Sequence, residues 1–267
     1  MKRSAIARII IYTLLALVLT AILLVGIGID SFINAPHSGT VVTGEAVIDI
    51  GFIDQLDIDW AAGSVTIRTG NTDDIIISES GQFEEKYAMV YDVKGTTLSI
   101  DYASSAVITL GSSPSKDLTV TVPSDWFCRD LDIDGAALDI FIEDLNASSV
   151  NLDGAALELI YRGSFDTMDC DGASCALDIT CESWPTSLDF DGAGCDVELT
   201  LPEGCGFYAD MEGLGCSFSS NVNHSSKSGR HTYGNEHCQI HFDGLGCALQ
   251  IHYGPYAPLP TQPAPSE

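Results

Sequence analysis

The sequence predicts an all-β protein: a β-solenoid of about 19-residue coils preceded by one transmembrane helix. Three observations predict it. A short phrase returns in fixed register, apolar and polar residues alternate through most of the chain beyond residue 45, and a long uncharged apolar run comes first. The phrase reads LDIDGAALDI, VNLDGAALEL, MDCDGASCALDI and LDFDGAGCDVEL between Leu131 and Leu201. It returns as ADMEGLGCSF and IHFDGLGCALQI, and an early copy, LDIDWAAGSVTI, starts at Leu56.

Residues 9–29 form an uncharged run of 21 mostly apolar residues, which at about 1.5 Å per residue spans a bilayer core of roughly 30 Å. Lys2, Arg3 and Arg8 precede it and Asp30 follows, so the positive-inside rule leaves residues 1–8 as a cytoplasmic stub and places the rest outside. A cleaved signal peptide would need a shorter apolar region and small residues before the cut; Asn34-Ala35 followed by Pro36 does not supply that pattern. The chain is then expected to be a single-pass protein of the cell membrane, with its main domain extracytoplasmic.

All 38 acidic residues follow the apolar run, against 8 basic ones, so the exterior part carries −30. Such a charge excludes nucleic acid and anionic lipid as partners. It leaves divalent cations, basic peptides and other envelope or membrane proteins, unless the acids serve solubility alone. Residues 30–45, small or polar with Pro36 among them, read as a tether. Strands are expected at 46–53, 56–67, 75–77, 87–93, 97–102, 107–110 and 118–122. The solenoid is expected over 46–253, and residues 254–267, with five prolines, read as an extended tail.

Counted from the central acids Asp134, Asp153, Asp171, Asp191, Glu212 and Asp243, the repeats are 19, 18, 20, 21 and 31 residues apart. One residue earlier stand Ile133, Leu152, Cys170, Phe190, Met211 and Phe242; four later stand Leu138, Leu157, Cys175, Cys195, Cys216 and Cys247. Six later come Ile140, Leu159, Leu177, Val197, Phe218 and Leu249. Those are inward columns on either side of a tight corner, where Gly is expected to supply a positive φ and Asp to accept a nearby backbone N–H. Coils stacked in sequence order, about 4.8 Å apart, turn each column into a ladder. An antiparallel meander, for which Asp-Gly is also a signal, gives no reason for one residue class at one offset in every repeat. The span from Asp59 to Asp134 has room for about four looser coils, LTVTVP and ELTLP mark Pro corners, and 219–236 reads as a surface loop inserted in one coil.

An N-terminal membrane helix, Gly-punctuated strands, the LTVTVP corner and the repeated IDGAALDI coils together resemble the bacterial putative-adhesin family, also described as toast-rack or head-domain-like. The resemblance covers about residues 46–253 and implies a right-handed single-stranded β-helix outside the membrane, with no agreed catalytic residues. The cysteine column departs from the aliphatic residues such coils more often carry.

Two acid columns are expected to face outward. The first holds the central acids; the second, two residues earlier, holds Asp57, Asp132, Asn151, Asp169, Asp189, Asp210 and His241. Unit charges 4.8 Å apart repel by about 0.9 kcal/mol in water, more near a low-dielectric surface. Corner N–H groups are one offset. Ca²⁺ is another, bridging Asp132, Asp134, Asp153, Asp169, Asp171, Asp189, Asp191 and Asp210 through their D-x-D pairs. No other cofactor is implied. Nine cysteines outside the membrane could form bridges across neighbouring coils or be small buried apolar residues, and the odd number leaves at least one thiol free. His237, Cys238, His241 and His252 fail as a zinc site, because alternation turns Cys238 in when His237 and His241 turn out. No nucleophile elbow, H-E-x-x-H or phosphate loop is present, and repeated acids lack the two unlike environments an acid–base pair needs. The expected function is non-enzymatic, with no small-molecule substrate: adhesion, interaction or envelope sensing, the alternative being cation or glycan binding on the acidic ladder.

Overall fold

The computed structural model describes residues 39–103 and 114–254. The stub, the apolar run, most of the tether, the strand expected at 107–110 and the tail beyond Gly254 lie outside the described residues. Among those described, no helix is long and apolar enough to cross a membrane, and the helical element is one 3-10 turn, Glu85–Tyr87. The rest is strand and turn.

The alternation folds as it reads. Phe127–Ser164 is one continuous strand that runs through two coils and their corners, and Thr167–Gly172, Ser187–Ala193 and Cys238–Leu245 continue the stack in parallel, in register. After each corner the chain enters a second sheet, where Cys175–Cys181, Asp196–Leu201 and Ala248–Tyr253 stack on the latter half of that long strand. Between the two sheets the inward columns meet: Ile133, Leu152, Cys170, Phe190 and Phe242 from one side, Leu138, Leu157, Cys175, Cys195 and Cys247 from the corner, all buried. Each such aliphatic or aromatic side chain contributes roughly 1.5–3 kcal/mol by leaving water.

Spatial order departs from sequence order at both ends. Ser187–Ala193 pairs with Cys238–Leu245, and Phe207–Leu214 lies outside that coil. The repeat centred on Glu212 is thus the outermost, and the Asp243 coil slots between it and Asp191. At the other end Gln55–Asp59 lies between Thr97–Asp101 and the first coil of the long strand. The expected sequential stacking therefore holds only for the middle coils. An excursion returning inward leaves its outer strand to be covered by a local partner, and both ends use antiparallel strands for this.

At the first end, Met89–Lys94 pairs with Thr97–Asp101, and Thr40–Val42 covers it in turn. Ile75–Ser80 pairs antiparallel with Lys116–Pro123, and Glu45–Ile48 covers that. The span between Asp59 and Asp134 therefore builds two coils plus antiparallel caps, not four coils. Thr40–Val42, within the segment read as tether, is already a strand. At the far end, the segment read as an inserted loop folds into the hairpin Ser225–Lys227 and Arg230–Tyr233, which pairs antiparallel with Phe207–Leu214. Short edge strands are one of the usual protections against edge-to-edge aggregation.

The corner glycines also differ from expectation. Gly135, Gly154, Gly172, Gly192 and Gly244 are not in the positive-φ region; Gly213 is. What excludes a side chain is the neighbouring coil: a Cβ on Gly192 would sit on the carbonyl oxygen of Gly172, and one on Gly154 would lie 2.6 Å from that of Gly135. The glycine column lets successive corners stack at strand spacing. The positive φ falls two residues later, at Gly194, Gly215 and Gly246.

Lys116 is fully buried at the first end. Its ammonium donates to Glu79 Oε2 at 2.8 Å and to the carbonyls of Tyr87 and Tyr102 at 2.6 Å each, and it faces the rings of Trp60, Phe83 and Tyr102. Glu79 in turn accepts the Met89 N–H. All three ammonium donors are used, so this cluster ties the cap strands to the first coils and has no nucleophilic lone pair to offer.

Candidate functional site

Registers assemble the central acids into one column. In spatial order it runs Asp101, Asp59, Asp134, Asp153, Asp171, Asp191, Asp243 and Glu212. The second column runs Ser99, Asp57, Asp132, Asn151, Asp169, Asp189, His241 and Asp210. A third, two residues earlier still, is polar: Thr97, Gln55, Asp130, Ser149, Thr167, Ser187, Gln239 and Tyr208. The outer face of the first sheet is therefore a flat array of carboxylates, amides and hydroxyls. Asp101 belongs to the column through a worn copy of the phrase, LSIDYA at 98–103 against LDIDWA at 56–61, and its pairing with Asp59 places it there.

The carboxylates feel one another. Asp59 is pushed up to about 8, first by burial and then by Asp57, Asp101 and Asp134, with a hydrogen bond to Asp101 adding to the shift. Asp134 rises to about 6, again through burial first and then Asp132, Asp153 and Asp57. Asp132, Asp153, Asp169 and Asp191 are raised in the same way. The expected corner bonds do not form: among the described residues, no backbone N–H donates to the carboxylates of Asp134, Asp153, Asp171 or Asp191, whereas Asp49, in an ordinary turn, does accept one from Gly51. Local capping therefore leaves the column's repulsion unrelieved.

Cations stand at its two ends. Lys94, on a cap strand, pairs with Asp92 at 2.9 Å and is raised by that bond and by the fields of Asp101 and Asp57. At the far end Asp210 pairs with Arg230 at 3.1 Å, and Lys227 lies opposite Arg230 in the hairpin. Lys227, Arg230, Tyr208 and Glu212 share an open groove of about 540 Å³. Cap strands thus bracket the acidic stripe with positive charge.

The eight aspartates considered for Ca²⁺ all fall in these two columns, but among the described residues no group of three or more His, Cys, Asp or Glu side chains is arranged to hold a metal ion. All nine cysteines are free thiols. Cys175, Cys195 and Cys247 stack along the corner, and the Cys195 N–H donates to Cys247 Sγ at 3.4 Å. The Cys175 thiol is pushed up to about 12, chiefly by its hydrogen bond with Cys170. Cys128, Cys205 and Cys238 are raised by burial. Eight of the nine are buried, so of the two readings the sequence left open, bridges or small buried apolar residues, the structure has the second. Cys238 is buried while His237 and His241 are exposed.

The fold is similar to that of a solved structure. A putative cell adhesion protein from Clostridium sporogenes aligns with TM-score 0.51 and 9% identity, covering 80% of this chain and all of that one. A putative adhesin from Bacteroides fragilis aligns at 12% identity over 80% of this chain and 98% of its own, with a TM-score of 0.32 that carries no argument. No family model matches the sequence, and no curated protein does. The resemblance expected from the repeated coils is met at the level of fold, that of a putative-adhesin-like, repetitive all-β domain.

Proposed function

We propose that this chain is a non-enzymatic adhesion or interaction module, held at the cell membrane by residues 9–29 and displaying its coils outside, wound in the right-handed sense usual for parallel crossovers. The acidic face is its contact surface, and its partner is a basic patch on another envelope or membrane protein. One observation carries this reading: eight acids stand in one unbroken column, exposed from Asp153 through Asp171, Asp191 and Asp243 to Glu212. The adhesin-type neighbour supports it through fold alone. Charge steering would speed encounter with a basic surface and would weaken as salt rises. Affinity capture from detergent-solubilised membranes with the full chain tests the proposal. Recovery of a specific protein, released by raised salt, is the expected result; recovery of none contradicts it.

A further inference from the structure

The exposed Phe and Trp side chains of the described residues all lie at one corner of the stack, away from the acidic ladder. They are Phe52 at 89% exposure, Phe127 at 53% and Trp184 at 43%. Main-chain bonds from Arg129 to Asp54, Asp166 to Ser148 and Thr186 to Asp166 hold this corner in register. Two residues before each stacked position, Phe52, Phe127, Asn146, Ser164 and Trp184 therefore share one outward column. Phe127 and Trp184 stand three coils apart, roughly 14 Å at about 4.8 Å per coil, with an amide and a hydroxyl between them.

A groove of about 330 Å³ opens along this column, floored by Trp126 and Phe165 and edged by Phe127, Asn146, Ser164 and Ser183, with Asp125 and Asp166 on its rim. The floor is fixed: the Trp126 indole donates to Ile53 O at 2.8 Å, and the Phe165 ring packs edge-on to Tyr161. The rim is available. Asp166 accepts Ser148 Oγ on one oxygen only, and the side chains of Asn146, Ser164, Ser183 and Asp125 bond to no other described residue. An exposed ring beside carboxylate acceptors and an amide is the chemistry that receives the apolar C–H face of a pyranose and its equatorial hydroxyls. An extended glycan also advances per sugar by close to one coil rise. The two rim carboxylates exclude uronic, sialic and phosphorylated sugars.

We propose that this corner groove binds a neutral or amine-bearing oligosaccharide of two to three pyranose units, stacked on Phe127 and hydrogen-bonded by Asn146 and Asp166. It rests on the adhesion reading and adds a ligand class at a surface separate from the acidic face. The test uses the full chain in detergent with chitotriose, mannotriose and an oligogalacturonate as probes, read by tryptophan fluorescence and saturation-transfer NMR. Binding of a neutral or amino trisaccharide is expected, weakened about tenfold or more, over 1.4 kcal/mol, by Phe127→Ala and retained by Phe127→Trp. Asn146→Ala, at an exposed site, should weaken it without altering the melting curve. No binding at millimolar ligand, binding indifferent to both Ala variants, or preference for the oligogalacturonate would each overturn the proposal. If the chain still captures an envelope protein while binding no sugar, the groove proposal fails and the adhesion reading stands; sugar binding with no protein capture gives the converse.

Discussion

Replacing Asp59 by Asn should stabilise this protein, although it removes a hydrogen-bonded side chain. Asp59 is charged at neutral pH in the unfolded chain but is pushed from 3.8 to about 8 in the fold by burial and its acidic neighbours. A carboxyl whose folded value lies above its unfolded value costs stability. The cost is complete above about pH 8, shrinks as pH falls through the folded value, and vanishes below the unfolded one. At pH 7 it is about 4 kcal/mol, since 1.36 kcal/mol attaches to each pH unit over which only the folded form is protonated. Asn keeps the shape and carries no charge. Allowing about 1 kcal/mol for altered bonding to Asp101, the gain should be about 2–3 kcal/mol, which raises the melting temperature by roughly 5–10 °C in a domain of this size. Melting curves of the wild type should climb as pH falls from about 9 to about 5, with Asp134, at about 6, contributing the lower part. The Asp59→Asn curves should be flatter between about pH 8 and about pH 6. A variant that melts lower than wild type at pH 7, with an unchanged pH slope, would refute the reasoning.

Lys116→Met should destabilise by about 3–5 kcal/mol, because it strands the buried Glu79 carboxylate and two carbonyls; urea unfolding measures this, and a loss below about 1 kcal/mol would contradict the cage. Gly192→Ala should cost about 1–3 kcal/mol through its collision with the Gly172 carbonyl, whereas Ala173→Gly, on an exposed corner without such a neighbour, should change thermal stability little. Native-state alkylation followed by peptide mass analysis should label Cys216 first, since it is half-buried on the outermost coil and the other eight thiols are buried; faster labelling of Cys175 or Cys195 would contradict the packing of the corner column.

The middle of the fold was legible because a strand's two-residue period and a coil's fixed length both act locally. From Leu131 to Leu201 the same offsets turn the same residue types inward, and the parallel registers follow. The ends were not legible, because stacking order is a long-range choice that equal phrases leave undetermined. IHFDGLGC and ADMEGLGC satisfy the same position equally well on paper. Phe242, its ring centroid 5.4 Å from that of Phe190, fills the interior coil, while Met211 and Phe218 remain half-buried at the end. The hairpin at 225–233 hid behind a Ser- and Gly-rich composition that also suits a loop. The glycine column was read correctly as corners and wrongly as a φ requirement, since the carbonyl that excludes a Cβ belongs to another coil. The acids of the ladder follow from the phrase, Asp101 through its most worn copy, LSIDYA, which Gln55–Asp59 confirms by pairing.

The most direct test of the proposed contact surface compares two variants of equal charge. One neutralises the ladder by Asp153→Asn, Asp171→Asn and Asp191→Asn. The other neutralises the outer face of the second sheet by Asp139→Asn, Glu158→Gln and Asp196→Asn, all at exposed positions. Each full chain is immobilised and its capture of envelope proteins is measured at low and raised salt. The ladder variant should lose at least about tenfold in capture, over 1.4 kcal/mol, while the second variant keeps it. Equal loss in both, or none in either, would contradict a specific role for the acidic face.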